Sequence, residues 1–150
     1  MTREQMAAFM RRLAGTFATT GEQVVDTSDP VTVDTTTFTE LTTVEVAARG
    51  AHGADVTLNA HASMEVATGT EAQFEIVIAR DSCEGTVVGS TTWSSPDLTA
   101  DQTAAISVTG SDQVTDTSTT YALCAAKGAD TGQDGTAHQR GLIANLVPTY

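Results

Sequence analysis

Residues 55–67 read DVTLNAHASMEVA, and this stretch decides the fold class. Apolar and polar side chains alternate through it without a break, with Val56 and Leu58 beginning one row and Thr57 and Asn59 the other. A strict period of two is typical of a β-strand with one buried and one solvated face. We therefore predict a long strand here that covers a hydrophobic core.

The same period recurs along the chain on both sides of this strand. Residues 73–80 repeat it, with Phe74, Ile76 and Ile78 on the inward row. Shorter runs bounded by Gly, Asp, Ser and Pro predict further strands at 23–26, 31–33, 38–47, 86–93, 103–109, 119–127 and 139–147. Imperfect alternation in 38–47 indicates a bulge near Thr42 or Thr43. Eight or nine short strands without intervening helices are typical of a sandwich or barrel.

The amino-acid composition favours β-strands, and the net charge limits the classes of possible binding partner. The 150 residues include 28 Thr and one Lys, and Thr suits a pleated, half-buried surface. The net charge is −12, and residues 1–12 carry about +2, so the remainder carries about −14. Such an acidic body repels phosphate backbones and anionic lipid, so we expect no nucleic-acid partner.

A short basic segment precedes the strands. Thr2 and Gln5 fit a capping box, Gly15 fits a C-terminal stop, and one apolar stripe lies between them, formed by Met6, Phe9, Met10 and Leu13. We predict an amphipathic helix within 1–15, a linker at 16–22 and a β-sandwich domain at 23–150. An isolated three-turn helix is marginal in water, so the stripe is expected to dock on the β domain, a second copy or an upstream partner.

The N-terminal segment has charges through its middle and no long apolar run. It therefore fits neither a secretory signal nor a membrane span. Two interpretations stay open: a fragment of a longer exported protein, or a chain that is exported or assembled without a cleaved leader.

The chain has two cysteines, Cys83 and Cys124. Neither lies in a CxxC motif, and no histidine is near either one in sequence, so a metal or redox site is disfavoured. We predict one disulfide, which the loop-entropy relation values at about 4 kcal/mol. A disulfide implies an oxidising compartment.

Catalytic patterns are missing from the sequence. There is no GxSxG or HExxH motif, and His52, His61 and His138 have no informative spacing. A glycosidase would need two carboxylates across a sugar bond, for which Glu65, Glu71 and Glu75 are the candidates. Alternating outward carboxylates are more often a solvated face, so we predict that the chain is not an enzyme.

Two ligand sites are weighed against ordinary structural roles. Asp130 and Asp134 stand in a loop that could offer oxygen ligands to calcium, although the EF-hand spacing fails. Trp93, followed by Asp97, could form a carbohydrate platform, whereas a single Trp in a sandwich commonly packs in the core. No cofactor is predicted, with calcium as the alternative.

Two resemblances cover different parts of the chain. Residues 2–13 read TREQMAAFMRRL, which resembles the closing helix of an S-layer-homology module and implies descent from, or truncation of, a surface-anchored bacterial protein. The strand patterning of the remainder is similar to jelly-roll domains of the C1q/TNF-like type at the ends of bacterial surface proteins and phage fibres, and it is carried by residues 38–41, 44–46, 72–80, 85–89, 119–124 and 140–148. That resemblance implies trimers acting as fibre tips, adhesins or surface layers.

Together these features predict an all-β, jelly-roll-like β-sandwich with one short N-terminal amphipathic helix. The predicted function is a non-catalytic structural or adhesive module, secreted or at a cell surface, that forms a homo-oligomer or fibre, with a trimer expected. One alternative is a carbohydrate- or calcium-dependent binding module with a surface glycan as partner. Another is a virion fibre or capsid decoration protein.

Overall fold

The computed structural model describes residues 2, 5–6, 23–26, 29–47, 53–69, 71–95, 101–115, 118–129 and 133–149. The strands among them are, in chain order, β1 (Gln23–Asp26), β2 (Val31–Val33), β3 (Thr39–Val46), β4 (Ala54–Val66), β5 (Ala72–Arg80), β6 (Val87–Ser95), β7 (Gln102–Val114), β8 (Thr119–Lys127) and β9 (Gly135–Pro148). All of them lie in two antiparallel sheets.

The pairing of the strands is nested. Sheet I has the order β1/β2, β9, β4, β7, with β1 and β2 following one another along the same edge of β9. Sheet II has the order β3, β8, β5, β6. Thus β5 pairs with β6, β4 with β7, β3 with β8, and β1/β2 with β9, as in a long hairpin rolled into two sheets. This topology is a jelly roll, so the predicted fold class is confirmed.

Strand β4 organises sheet I. It pairs with β7 over its whole length, from Ala54 opposite Val114 to Val66 opposite Gln102, and with β9 on its other side. Its two rows of side chains separate as the alternation predicts, with the apolar row buried and the polar row exposed except for the half-buried Ser63. Leu58 and Met64 are fully buried.

The core lies between the inner faces of the two sheets. Sheet II contributes its largest side chains there, Phe74, Ile76, Ile78 and Tyr121, which meet the apolar row of β4 in one cluster. Burying an apolar side chain of this size contributes about 1.5–3 kcal/mol relative to leaving it in water. The single cluster indicates that the two sheets form one cooperative domain.

Strands β6 and β7 approach closely at the edge where the two sheets meet. A Cβ atom on Gly110 would lie 2.8 Å from the Val88 carbonyl oxygen, and one on Gly89 would lie 2.9 Å from Gly110 Cα. The glycines therefore let two backbones touch. Gly110 does not end β7, as the predicted strand at 103–109 assumed; the strand continues to Val114.

Bulges shift the register in both sheets. In β3 the shift lies between Glu40 and Thr42, slightly before the predicted position. In β4 and β9 the register shifts between Ala62 and Met64, whose partners are Arg140 and Ala137, so β9 carries an extra residue. Strand β9 begins at Gly135, four residues earlier than predicted, because its first residues pair with β2.

The described part of the N-terminal segment begins as the capping box predicts. The Thr2 amide donates to Gln5 Oε1 at 2.9 Å, and the Gln5 amide donates to Thr2 Oγ1 at 3.2 Å. Gln5 and Met6 are helical. The rest of the predicted helix and the linker at 16–22 lie outside the described residues. No helix in the described ranges has the length and apolar character needed to cross a membrane.

Candidate functional site

The outer face of sheet I has a centre without carboxylates. Residues directly opposite one another on β4, β7 and β9 share this face. We call the centre the neutral face, and its members are Thr57, Asn59, His61, Ser63, Ala105, Ser107, Thr109, Ser111, Gly141, Ile143 and Asn145. Most of them are exposed. A broad surface of small neutral side chains on a chain of net charge −12 is a candidate interaction surface.

The acidic groups of this outer face stand at its two ends. Asp55 accepts a hydrogen bond from Gln113 Nε2 at 2.9 Å at one end. At the other end Glu65 Oε2 lies 2.7 Å from His138 Nε2, close enough for an ion pair when the imidazole is protonated, although the angle is not that of a hydrogen bond. Both carboxylates therefore have a neighbour at the rim, and the centre stays neutral.

The imidazole of His61 lies over Gly141 on the neutral face. Gly141 is directly opposite His61, and a Cβ atom there would lie 3.2 Å from both ring nitrogens. The missing side chain at Gly141 makes room for the ring.

A partly buried polar cluster joins the two sheets next to this face. Arg80, at the end of β5, donates from Nε to Asp112 Oδ2 at 2.7 Å, and its Nη2 is ion-paired with Asp112 Oδ1. The hydroxyl of Tyr121, on β8, donates to Asp112 Oδ2 at 2.8 Å. Two residues of sheet II thus hold one carboxylate of sheet I.

The titration of this cluster follows from its contacts. Burial raises the pKa of the Asp112 carboxyl, but the hydrogen bonds from Arg80 and Tyr121 outweigh burial and leave that pKa below its usual value. Burial, and then the hydrogen bond to Asp112, raise the pKa of the Tyr121 phenol. The hydrogen bond to Asp112 raises the pKa of Arg80. At neutral pH the cluster is a charged Asp–Arg pair with a neutral phenol.

A shallow hollow of about 520 Å³ lies beside the cluster, lined by Asp55, Val56, Thr57, Ser111, Asp112 and Gln113. Its two carboxylates are already bonded, Asp112 to Arg80 and Asp55 to Gln113. No group of three or more potential metal ligands occurs among the described residues. These contacts therefore give no support for a cation site in the hollow.

Arg140 is a buried cation in β9, just after the bulge. Its side chain donates from Nε to the Leu41 carbonyl oxygen at 2.6 Å and from Nη1 to those of Asp29 at 2.8 Å and His138 at 3.1 Å. The planar guanidinium suits several carbonyl acceptors at once. It ties β3 and the segment before β2 to the bulge in β9.

The outer face of sheet II has a small apolar cluster of its own. Val77, Ala122 and Cys124 are buried there, with Phe38 and Cys83 packed against them. Cys83 and Cys124 form a disulfide, with 5.8 Å between their Cα atoms. The bond fastens the loop between β5 and β6 over the cluster, which we call the stapled cluster.

Sheet II also carries a polar groove of about 400 Å³ on the same outer face, next to the stapled cluster, lined by Thr36, Gln73, Glu75, Thr92, Ala126, Lys127, Gly128 and Ala129. Glu75 is directly opposite Thr92 on β6 and Ala126 on β8, so these three form one row across the groove. Lys127 Nζ lies 2.7 Å from Asp134 Oδ1.

Two of the predicted ligand residues make contacts within the described part of the fold. Trp93 is half-buried, packs against the core and stacks on Phe74 with ring centroids 6.0 Å apart. It is therefore not an exposed platform. Asp134 pairs with Lys127. Asp97 and Asp130 lie outside the described residues.

The fold keeps two of the three glutamates considered for catalysis apart. Glu65 lies on the outer face of sheet I and Glu75 on that of sheet II. A core about 10 Å thick separates such faces. Glu71 precedes β5 and is exposed. Among the predicted docking residues, Met6 is exposed. The other three, Phe9, Met10 and Leu13, lie outside the described residues. His52 also lies outside them.

Arg140, Asp112 and the stapled cluster were not predicted as structural sites. The cluster left a sequence signal, because β5 and β8 carry continuous apolar runs at 76–79 and 121–126 where one-sided burial would alternate. Such a run marks a strand covered on both faces. Arg140 left no signal, since its carbonyl acceptors come from three separate parts of the chain.

Two antiparallel sheets in this strand order define the class of the protein as a jelly-roll β-sandwich. No family model matches the chain, and no curated protein gives a significant match. Among solved structures it is similar to a chain of the infectious bursal disease virus Gt strain, with a TM-score of 0.52, 10% identity, and coverage of 86% of this chain and 33% of that one.

A chain of the infectious bursal disease virus VP2 subviral particle gives a TM-score of 0.49 and 12% identity over 89% of this chain. The present chain spans about a third of the length of these viral chains, 33% of each. At such identities the likeness shows the fold alone.

Proposed function

We propose that this chain is a non-catalytic structural module that assembles with copies of itself through the outer face of sheet I. The observation that carries the proposal is the neutral face. Copies of net charge −12 repel one another, so they associate most favourably through a surface free of carboxylates. Acidic residues elsewhere then act against other modes of contact.

The size of the face supports the same proposal. Sheet I is four strands wide, and β4 has 13 residues. With about 4.8 Å between strands and about 3.3 Å per residue, the outer face measures roughly 19 by 43 Å, or about 800 Å². A standard interface buries about 800 Å² per partner. The whole outer face, including the ends that carry Asp55 and Glu65, is therefore large enough for a specific contact, and the neutral face forms its centre, at roughly two fifths of that area.

The setting of the assembly is also part of the proposal. The Cys83–Cys124 disulfide and the S-layer-homology-like segment support a secreted or cell-surface protein, and the C1q/TNF-like resemblance supports a trimeric, fibre-forming or adhesive module. The virion alternative draws support from the jelly roll shared with a viral chain. The basic segment at 1–12 would add a docking contact to an acidic body, through Met6, Phe9, Met10 and Leu13.

Light scattering coupled to size exclusion tests the proposal. The full chain should give a mass that rises with concentration above the 15.5 kDa of one copy. Replacing Phe9 and Leu13 by Ser then separates the contribution of the helix stripe from that of sheet I. A mass of one copy at every concentration, at both low and high salt, would contradict self-assembly.

A further inference from the structure

We propose that the polar groove on sheet II, away from the self-association face, is a binding site for a neutral saccharide. Its volume of about 400 Å³ falls within the range of roughly 300–1,000 Å³ that is usual for small-molecule sites. The proposal does not rest on self-assembly, because the groove and the neutral face lie on opposite sides of the sandwich.

The chemistry of the lining favours hydroxyl-rich ligands. Glu75 supplies an exposed carboxylate that can accept hydrogen bonds from two neighbouring hydroxyls, and Gln73 supplies both an amide donor and an acceptor. Thr36 and Thr92 add hydroxyls that donate and accept. Each hydroxyl of a polyol is both a hydrogen-bond donor and an acceptor. The lining offers donors and acceptors as well, so it fits a sugar.

The charged groups around the groove act against anionic ligands and favour an uncharged ligand. The ammonium of Lys127 bonds Asp134 at the rim, and only 16% of the Lys127 side chain is exposed. Glu75 and the acidic body repel phosphate and carboxylate ligands. A cation is the competing class of ligand, because the Glu75 carboxylate would attract it.

The groove is held in shape by backbone hydrogen bonds on two sides. The Lys127 amide donates to the Thr35 carbonyl at 2.8 Å, and the Gly128 amide donates to the Gln73 carbonyl at 2.8 Å. The row of Thr92, Glu75 and Ala126 lies on three paired strands. The paired strands fix the backbone positions from which these side chains extend, and such preorganisation of the backbone favours affinity.

The test is an NMR titration of the full chain, labelled with ¹⁵N, against methyl glycosides of glucose, galactose, mannose and N-acetylglucosamine. At least one glycoside should shift amides at 73–75, 92 and 126–128 in a saturable manner. Glu75→Ala should weaken that binding about tenfold or more, as loss of a charged hydrogen-bond acceptor does. Glu40→Ala, at another exposed carboxylate of sheet II, should leave it unchanged.

Each remaining outcome overturns the proposal. Shifts with no glycoside at millimolar concentration would show that the groove is not a saccharide site. Equal weakening by Glu75→Ala and Glu40→Ala would show that binding occurs elsewhere. Saturable shifts of the same amides by spermidine, lost as NaCl is raised and given by no glycoside, would assign the groove to cations instead. None of these results would change the assembled mass, so failure here is distinguishable from failure of self-assembly.

Discussion

Asp112 shows how a single carboxylate can join two sheets. Its carboxylate accepts hydrogen bonds from Arg80 and Tyr121 of sheet II. Its Oδ1 also accepts one from the backbone amide of Gln113 at 2.8 Å. Because these donors stabilise the ionised form, the pKa of Asp112 in the folded chain lies below its value of about 3.9 in the unfolded chain. The group therefore stabilises the fold fully above about pH 4 and progressively less as pH falls through its lowered pKa.

Asp112→Asn should remove this part of the acid dependence. We expect the free energy of unfolding to fall less steeply than in the wild type as pH drops below about 4, although it is lower at neutral pH. Urea denaturation at a series of pH values measures this. Asp29→Asn, at an exposed carboxylate, should keep the acid dependence of the wild type. Identical pH slopes for Asp112→Asn and the wild type would contradict the assignment.

Arg140 should resist even conservative replacement. Arg140→Lys keeps the charge but cannot reach the Leu41, Asp29 and His138 carbonyls together, since an ammonium lacks the guanidinium fork. We expect a loss of about 1.5–3 kcal/mol in the free energy of unfolding. Gln139→Lys, at the exposed neighbouring position, should change stability by less than about 0.5 kcal/mol. Equal stabilities for the two variants would remove Arg140 from its structural role.

The disulfide acts at the level of the loop between β5 and β6. It closes a 41-residue separation, so reduction should lower the free energy of unfolding by about 4 kcal/mol. Comparing urea midpoints of the oxidised chain with those of the double variant Cys83→Ala/Cys124→Ala measures the loss. A thiol assay under native and denaturing conditions is the control. Two free thiols in the purified chain would refute the bond and the oxidising compartment it implies.

The edge between β6 and β7 gives a prediction about backbone contact. Gly110→Ala would push a Cβ atom to 2.8 Å from the Val88 carbonyl oxygen, so one of the two strands must shift. We expect a loss of about 1–3 kcal/mol in the free energy of unfolding. Ser111→Ala, next along β7 and exposed, should be close to neutral. Stability unchanged by Gly110→Ala would mean that the strands stand farther apart.

Regular alternation made most strands predictable, because a period of two reports one-sided burial directly. The strands at 23–26, 31–33 and 119–127 match the structure at both ends, and β4 is displaced by one residue. The prediction failed where glycine plays an unusual part, as at Gly110, and where a strand pairs with two partners in succession, as β9 does with β2 and β1.

The sites were less predictable than the strands. The neutral face is formed by β4, β7 and β9, which are distant from one another in the sequence. It could therefore not be predicted without knowing which strands pair. The groove similarly combines Thr36, Glu75 and Lys127. The sequence of one strand shows which residues face outward, but not what lies beside them.

At the scale of the whole molecule, charge controls association. Each copy carries −12, so electrostatic repulsion opposes assembly and salt screens it. Self-association through the neutral face should therefore strengthen as NaCl is raised. Contacts made mainly of opposite charges, such as the basic segment at 1–12 on an acidic surface, should weaken instead. The sign of the salt dependence, measured by light scattering, distinguishes the two.

The most direct test of self-association through sheet I is sedimentation velocity with matched carboxylate substitutions. Ser107→Asp places a charge at the centre of the neutral face, opposite His61, whereas Ser90→Asp places the same charge on the exposed side of β6. We predict that Ser90→Asp sediments with the wild-type concentration dependence and Ser107→Asp as a single copy. Identical sedimentation of both variants, whether assembled or as single copies, would contradict the assignment of the interface to this face.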